Sequence, residues 1–219
     1  MNNAKLSRLI ASIAAAALGA LLATPAQAGF IVSLNPGTTN AASPSTGQFF
    51  DVVLFNNTVV PSLPSDPPAT IGIAGFSFGL GVSNSNLVFT GVTTGSPNYV
   101  FTGDSLFGPD IRTSPDGQSV LASDLTASGN NVLLAANTSY TLGRVFFNIL
   151  AGTPAGLIAV TFDAQATSLS DNLGAAVPIS SIQNGNVNIT AAGVPEPGTV
   201  ALFLVGLPAL VLLRKRFQL

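Results

Sequence analysis

The chain has 219 residues with no cysteine, histidine or tryptophan, and only seven basic and nine acidic side chains. Without imidazole or thiolate, histidine-based nucleophilic triads and nitrogen- or sulfur-rich zinc sites have no ligands to draw on. The few basic residues cannot neutralise a phosphate backbone, so no nucleic-acid partner is expected.

Lys5 and Arg8 form a positive amino-terminal region, followed by the apolar run Leu9 to Ala23 and the small-residue site Ala26-Gln27-Ala28. This order describes a secretory signal-peptide helix over residues 1–28, cut at Ala26 and Ala28 so that the exported chain starts at Gly29. Five of the seven basic residues lie in the two chain ends. The body, residues 29–193, keeps only Arg112 and Arg144 against eight aspartates, a formal charge of −6. An exported body without disulfides is held by its hydrophobic core alone.

Within the body, short apolar stretches alternate at period two and are separated by Gly, Pro, Asn and Asp. The pattern predicts strands at Phe30 to Leu34, Gln48 to Phe55 and Ile73 to Val82, where Phe76, Phe78 and Leu80 share one face. Leu87 to Val92 and Tyr99 to Thr102 follow as short strands, then Ser119 to Leu125 and Val132 to Leu134. Tyr140 to Leu150 is expected to be the longest, with Val145, Phe147 and Ile149 alternating into the core. Leu157 to Ala166, Ile179 to Ser181 and Asn186 to Thr190 close the set. Pro61 to Pro68 holds four prolines and reads as a loop, as does Asp104 to Gly117. Many short strands with no helical period describe one all-β sandwich.

The last segment, residues 194–219, opens on Pro195-Glu196-Pro197, runs without charge from Thr199 to Leu213 and ends on Arg214-Lys215-Arg216. As a helix, the apolar run reaches roughly 22 Å at about 1.5 Å per residue. That is a short transmembrane helix against a hydrocarbon core of roughly 30 Å. The basic cluster serves as a cytoplasmic stop. Pro-Glu-Pro, a short apolar helix and a basic end resemble the PEP-CTERM sorting signal of exopolysaccharide-producing bacteria. The resemblance implies an exosortase as partner and membrane insertion through the carboxyl-terminal helix before processing. It also implies a passage from an inner-membrane intermediate to the cell envelope or extracellular matrix.

The body has its own resemblance. Ile73 to Leu80, Leu87 to Val92, Val120 to Asp124, Leu142 to Phe147, Leu169 to Asp171, Val177 to Ile179 and Asn184 to Ile189 are similar, in order and spacing, to a cohesin. The implied fold is a cohesin-like jelly-roll β-sandwich, flanked by the signal-peptide helix and the transmembrane helix.

Few residues suggest chemistry. Gly75-Phe76-Ser77-Phe78-Gly79 has the spacing of a nucleophile elbow, but the flanking phenylalanines demand a continuous strand and no histidine base exists. Ser77 therefore belongs on the face opposite the core. A glycosidase needs two carboxylates. The sole glutamate, Glu196, lies in the tail, and among the aspartates Asp124 and Asp171 are one example of a pair. Calcium, which takes oxygen ligands alone, has its candidates in Asp104, Asp110 and Asp116 of one loop. Those aspartates equally suit turns, and no cofactor is expected. The Asn-x-Ser/Thr matches at Asn56, Asn137 and Asn188 read as turn and strand-edge residues. The sequence thus describes a non-enzymatic surface protein. Its sandwich is expected to serve adhesion, with another surface protein as partner, or matrix structure; alternatively it binds polysaccharide of the exopolysaccharide layer of a biofilm through Asn, Asp and Tyr loops.

Overall fold

Alternation of apolar and polar residues is expressed as strand throughout the computed structural model, which describes residues 29–58 and 71–190. The signal peptide, the Pro61 to Pro68 loop and the tail from Val194 onward lie outside the described residues. Among those described, no helix is long and apolar enough to cross a membrane.

Among the described residues fourteen strands follow in chain order: β1 (Phe30–Asn35), β2 (Thr38–Ala42), β3 (Ser45–Asn56), β4 (Ile71–Ile73), β5 (Gly75–Val82), β6 (Leu87–Thr93), β7 (Asp110–Thr113), β8 (Ser119–Leu125), β9 (Val132–Leu134), β10 (Ser139–Ile149), β11 (Gly156–Ser170), β12 (Ala176–Val177), β13 (Ile179–Gln183) and β14 (Gly185–Thr190). One sheet has the order β13-β1-β3-β10-β6. The other has the order β2-β14-β11-β5-β8-β7, with β12 added beside β11. The pair β4-β9 stands apart. Near each end a tight turn carries the chain directly from one sheet to the other. After β1 it turns at Pro36-Gly37 into β2, and after β13 it turns at Asn184 into β14. Both closing contacts, β1 with β13 and β2 with β14, are parallel, while the other ladders are antiparallel.

The two sheets meet in a single core. From one side come Phe50, Val52 and Leu54 of β3 with Val145, Phe147 and Ile149 of β10. From the other come Phe76, Phe78 and Leu80 of β5, all as the alternation predicts. In β10 the period is interrupted once. Register shifts between Thr141 and Gly143, so Leu142 and Val145, three apart, both face inward. A bulge of this kind adds one residue and swaps the faces beyond it. Glycine is required there because a Cβ at 143 would sit 2.8 Å from Val92 Cγ1.

The strand expectations need five corrections. Tyr99 to Thr102 is a turn tied to β10 by one bridge, Tyr99 to Thr141, and not a strand. Its Tyr, Val and Phe are buried because they plug the end of the core, which produces the same apolar signature as a strand. The expected loop from Asp104 to Gly117 contains β7. The longest strand is β11 with 15 residues, against 11 for β10. Polar outward residues and a register shift between Asp163 and Ser168 mask its continuation past Ala166. Ile73 to Val82 divides at Ala74 into β4 and β5. Finally, β2 and β12 lack the apolar alternation that would announce them and are held by their neighbours' ladders.

Phe147 is fully buried and lies 5.5 Å from Phe50, centroid to centroid. Phe147→Ala is expected to cost about 3–5 kcal/mol. Chemical denaturation checks this, with the midpoint falling and the slope unchanged.

Candidate functional site

The connection from Thr93 to Asp110 carries the most distinctive surface. Tyr99, Val100 and Phe101 within it are buried. Phe101 stacks on Phe76 at 5.6 Å and Tyr99 meets both rings edge-on, each at 6.4 Å. Backbone bonds from Thr102 N to the Tyr99 carbonyl and from Asp104 N to the Phe101 carbonyl then turn the chain outward.

Two aspartates fasten the turn to β8. Asp124, only 5% exposed, accepts hydrogen bonds from the Tyr99 hydroxyl, from Ser105 Oγ at 2.6 Å and from its neighbouring amide, Leu125 N, at 2.8 Å. Hydroxyl and amide donors here take the place of a cation, which is how a buried carboxylate is tolerated. Asp104 accepts from Ser128 N at 2.8 Å and Ser128 Oγ at 2.7 Å. Leu106 N donates to the Leu125 carbonyl at 2.9 Å.

On this fixed base three large apolar side chains stand in solvent: Phe107 at 93% exposure, Leu125 at 54% and Leu106 at 41%. With Gly108, Pro109, Asp110 and Ser123 they line an open depression. The β-sheet edge beside it is β7, whose Asp110 and Arg112 form an exposed ion pair at 3.1 Å. Such a pair contributes little to stability, but its charges blunt the edge against further strand pairing. Register places this surface far from the point where the tail departs. Leu125 pairs with Gly75 and Gly75 with Ser170 at one end of the sheet, whereas Ile189 pairs with Gly156 at the other.

The calcium candidates are separated by the fold. Asp104 caps the Ser128 turn. Asp110 pairs with Arg112. Asp116 closes its own turn, accepting from Ser114 Oγ and from Gln118 N at 3.0 Å. The Ser114 hydroxyl, then the Gln118 amide, holds the Asp116 carboxyl below the usual range. Among the described residues no three Asp or Glu side chains gather as a metal site would need. Asp124 and Asp171 are likewise committed separately, for Asp171 Oδ1 accepts from Leu173 N and Ala175 N. Ser77 lies mid-strand in β5. Its Oγ donates to the Ala166 carbonyl at 2.9 Å, so no elbow forms. Of the two tyrosines, Tyr99 is buried, while Tyr140 is half-buried with its hydroxyl accepting from Ala135 N. Asn56, read as a turn residue, is fully buried and donates to the Leu134 carbonyl at 3.0 Å. The sorting residues Pro195, Glu196 and Pro197, the stop residues Arg214, Lys215 and Arg216, and the cleavage residues Ala26 and Ala28 all lie outside the described residues.

A two-sheet all-β body with this strand order and one shared core has the fold of a cohesin-like β-sandwich. Solved structures similar to it include the seventh type I cohesin of ScaB from Pseudobacteroides cellulosolvens, with a TM-score of 0.53 and 18% identity, covering 77% of this chain and 96% of that one. A chain of the Coh-OlpC type I cohesin–dockerin complex from Clostridium thermocellum matches with a TM-score of 0.54 at 15% identity, over 78% and 99%. The cohesin CaCohA2 from Clostridium acetobutylicum matches with a TM-score of 0.53 at 14% identity, over 74% and 92%. At these identities the likeness is one of fold. No family model matches the sequence, and no curated protein is similar to it in sequence.

Burial, then the hydrogen bond to Asp124 and that carboxylate's charge, push the Tyr99 hydroxyl well above the ordinary tyrosine range; the Ser105 hydroxyl opposes them. The folded pKa is raised, so this stabilisation is complete below about pH 10 and drains as pH rises beyond it. Tyr99→Phe deprives a buried acceptor of one donor and should cost about 1–3 kcal/mol at neutral pH. It should also flatten the loss of stability above about pH 10. Denaturation at a series of pH values measures both effects.

Proposed function

We propose that this chain is an exported, non-enzymatic cell-surface or matrix protein, sorted by an exosortase, whose cohesin-like sandwich docks a protein partner. The docking half of this reading is carried by the exposed cluster of Leu106, Phe107 and Leu125. Large apolar side chains in one exposed patch, held on a hydrogen-bonded base, are what a partner's side chains can cover without first ordering the site. The solved Coh-OlpC neighbour, recorded in a cohesin–dockerin complex, supports a protein as the partner.

The sorting half rests on the order Pro195-Glu196-Pro197, apolar run, Arg214-Lys215-Arg216. The two prolines disfavour helix at this position, which suits entry into a processing cleft. A body held by its carboxyl-terminal tail before processing would present Phe107 away from the membrane. Thr190 lies beside Ala42, at the sheet end opposite Leu125.

Site-specific photo-crosslinking on intact cells tests the docking reading in the full chain. A photoreactive residue at position 107 should give a discrete protein adduct. The same residue at Leu157, which is 68% exposed near the tail end, should not. With the crosslinker at 107, Leu125→Asp should lower the adduct about tenfold or more, as loss of a central apolar contact does. Equal adducts from both positions, or none from 107, would contradict it.

A further inference from the structure

The outer face of the five-stranded sheet holds a second, chemically different surface, and we propose that it binds a neutral polysaccharide. Its centre is Arg144 of β10, which reaches across to Asp51 of β3 with Nε–Oδ1 at 2.8 Å and Nη2–Oδ2 at 3.0 Å. The same guanidinium lies 4.0 Å from the centre of the Phe49 ring. Both charges are therefore closed upon each other and held in place by a ring.

Around this clamp the register lines up residues of uncharged type. Asn35, Asp51, Arg144 and Thr93 form one row across β1, β3, β10 and β6, and Ser33, Val53 and Thr141 form the next. The connection after β6 raises a wall beside them. Thr141 N donates to the Asn98 carbonyl at 2.9 Å and Thr141 Oγ1 to the Pro97 carbonyl. Between wall and sheet lies an open depression of about 430 Å³, lined by Ser33, Asn35, Asp51, Asn98 and Ser139 among others. Outside that lining, two residues along β3 from Asp51 on the same face, Phe49 stays 41% exposed although Arg144 covers part of it, and Phe146 packs on it edge-on at 6.1 Å.

The chemistry of this lining selects its occupant. A sugar ring presents C–H faces to Phe49 and Val53 and hydroxyls to amide, hydroxyl and carboxylate groups. Asp51, the one charged residue of the lining, is neutralised by its pairing with Arg144, so the depression offers little to attract a polyanion or a polycation, and the body's charge of −6 repels acidic polymers. The rotamers of Arg144 and Asp51 are fixed beforehand, so binding orders little. From Phe49 to Val53 the strand runs about 13 Å at roughly 3.3 Å per residue, a span suited to a polymer. This site is independent of the cluster at Phe107, and it joins a sheet face to Asn98 of the adjoining connection.

The test is affinity electrophoresis of the full chain in detergent through gels containing hydroxyethyl cellulose, mixed-linkage β-glucan, dextran or galactomannan, with alginate as the anionic comparison. Retardation is expected in at least one neutral gel and should persist in added salt. Phe49→Ala and Asn98→Gly should each weaken it about tenfold, equivalent to about 1.4 kcal/mol. The glycine preserves the positive φ of 56° at position 98 while removing the amide. Phe107→Asp should leave retardation unchanged, which separates this site from the docking cluster. No retardation in any neutral gel, retardation by alginate alone, or retardation that neither variant alters would overturn the proposal.

Discussion

The structure depends on one constraint: two sheets with no disulfide between them must be joined by apolar contact alone. Phenylalanines carry much of that contact. Phe50 and Phe147 stand on one side and Phe76 and Phe78 on the other, while Phe101 closes an end. The opposite face of β5 carries only small residues, Gly75, Ser77, Gly79 and Gly81. Gly79 admits no Cβ, since one would lie 2.8 Å from Ala166 Cβ. The Asp163 to Ser168 excursion of β11 crosses there. Core packing and outer surface are thus two consequences of the same alternation.

Electrostatics follows a similar economy. Both arginines of the body are paired with aspartate, Arg144 to Asp51 and Arg112 to Asp110. The remaining described aspartates are mostly satisfied by hydroxyls and backbone amides in turns, and Asp124 by the interior network around Tyr99. This use of aspartate explains why a body so acidic needs few cations and why its aspartates do not converge on a common point. The solvent-facing cluster of Leu106, Phe107 and Leu125 stands outside this pattern of local satisfaction.

Strands whose apolar residues alternate were legible in the sequence. The reading of Ser119 to Leu125 and Val132 to Leu134 coincides with β8 and β9, and Phe76, Phe78 and Leu80 are buried as period two requires. Strands made by pairing were not legible: Thr-Thr-Asn-Ala-Ala of β2 has no apolar period and becomes strand only beside β14. The candidate surfaces were hidden for a related reason. Phe107 sits in a stretch of Gly, Pro and Asp whose composition speaks of turns and says nothing of exposure. The contact of Arg144 with Asp51 joins residues 93 positions apart, which no local pattern reveals. The aspartates of the Asp104 to Gly117 stretch looked clustered because they are near in sequence, but Asp104 caps the Ser128 turn, Asp110 pairs with Arg112 and Asp116 closes its own turn.

The proposed docking role fits a sandwich whose apolar cluster lies at the sheet end opposite Thr190. The claim on which this account turns is that the tail is a processing signal and not a permanent anchor. The most direct measurement is the mass of the envelope-associated protein from a host with an exosortase and from the same host lacking it. The account predicts a species starting at Gly29 in both. The tail beyond the Pro195-Glu196-Pro197 region should be missing only where the exosortase is present. The same full-length carboxyl end, still carrying Leu219, in both hosts would contradict it.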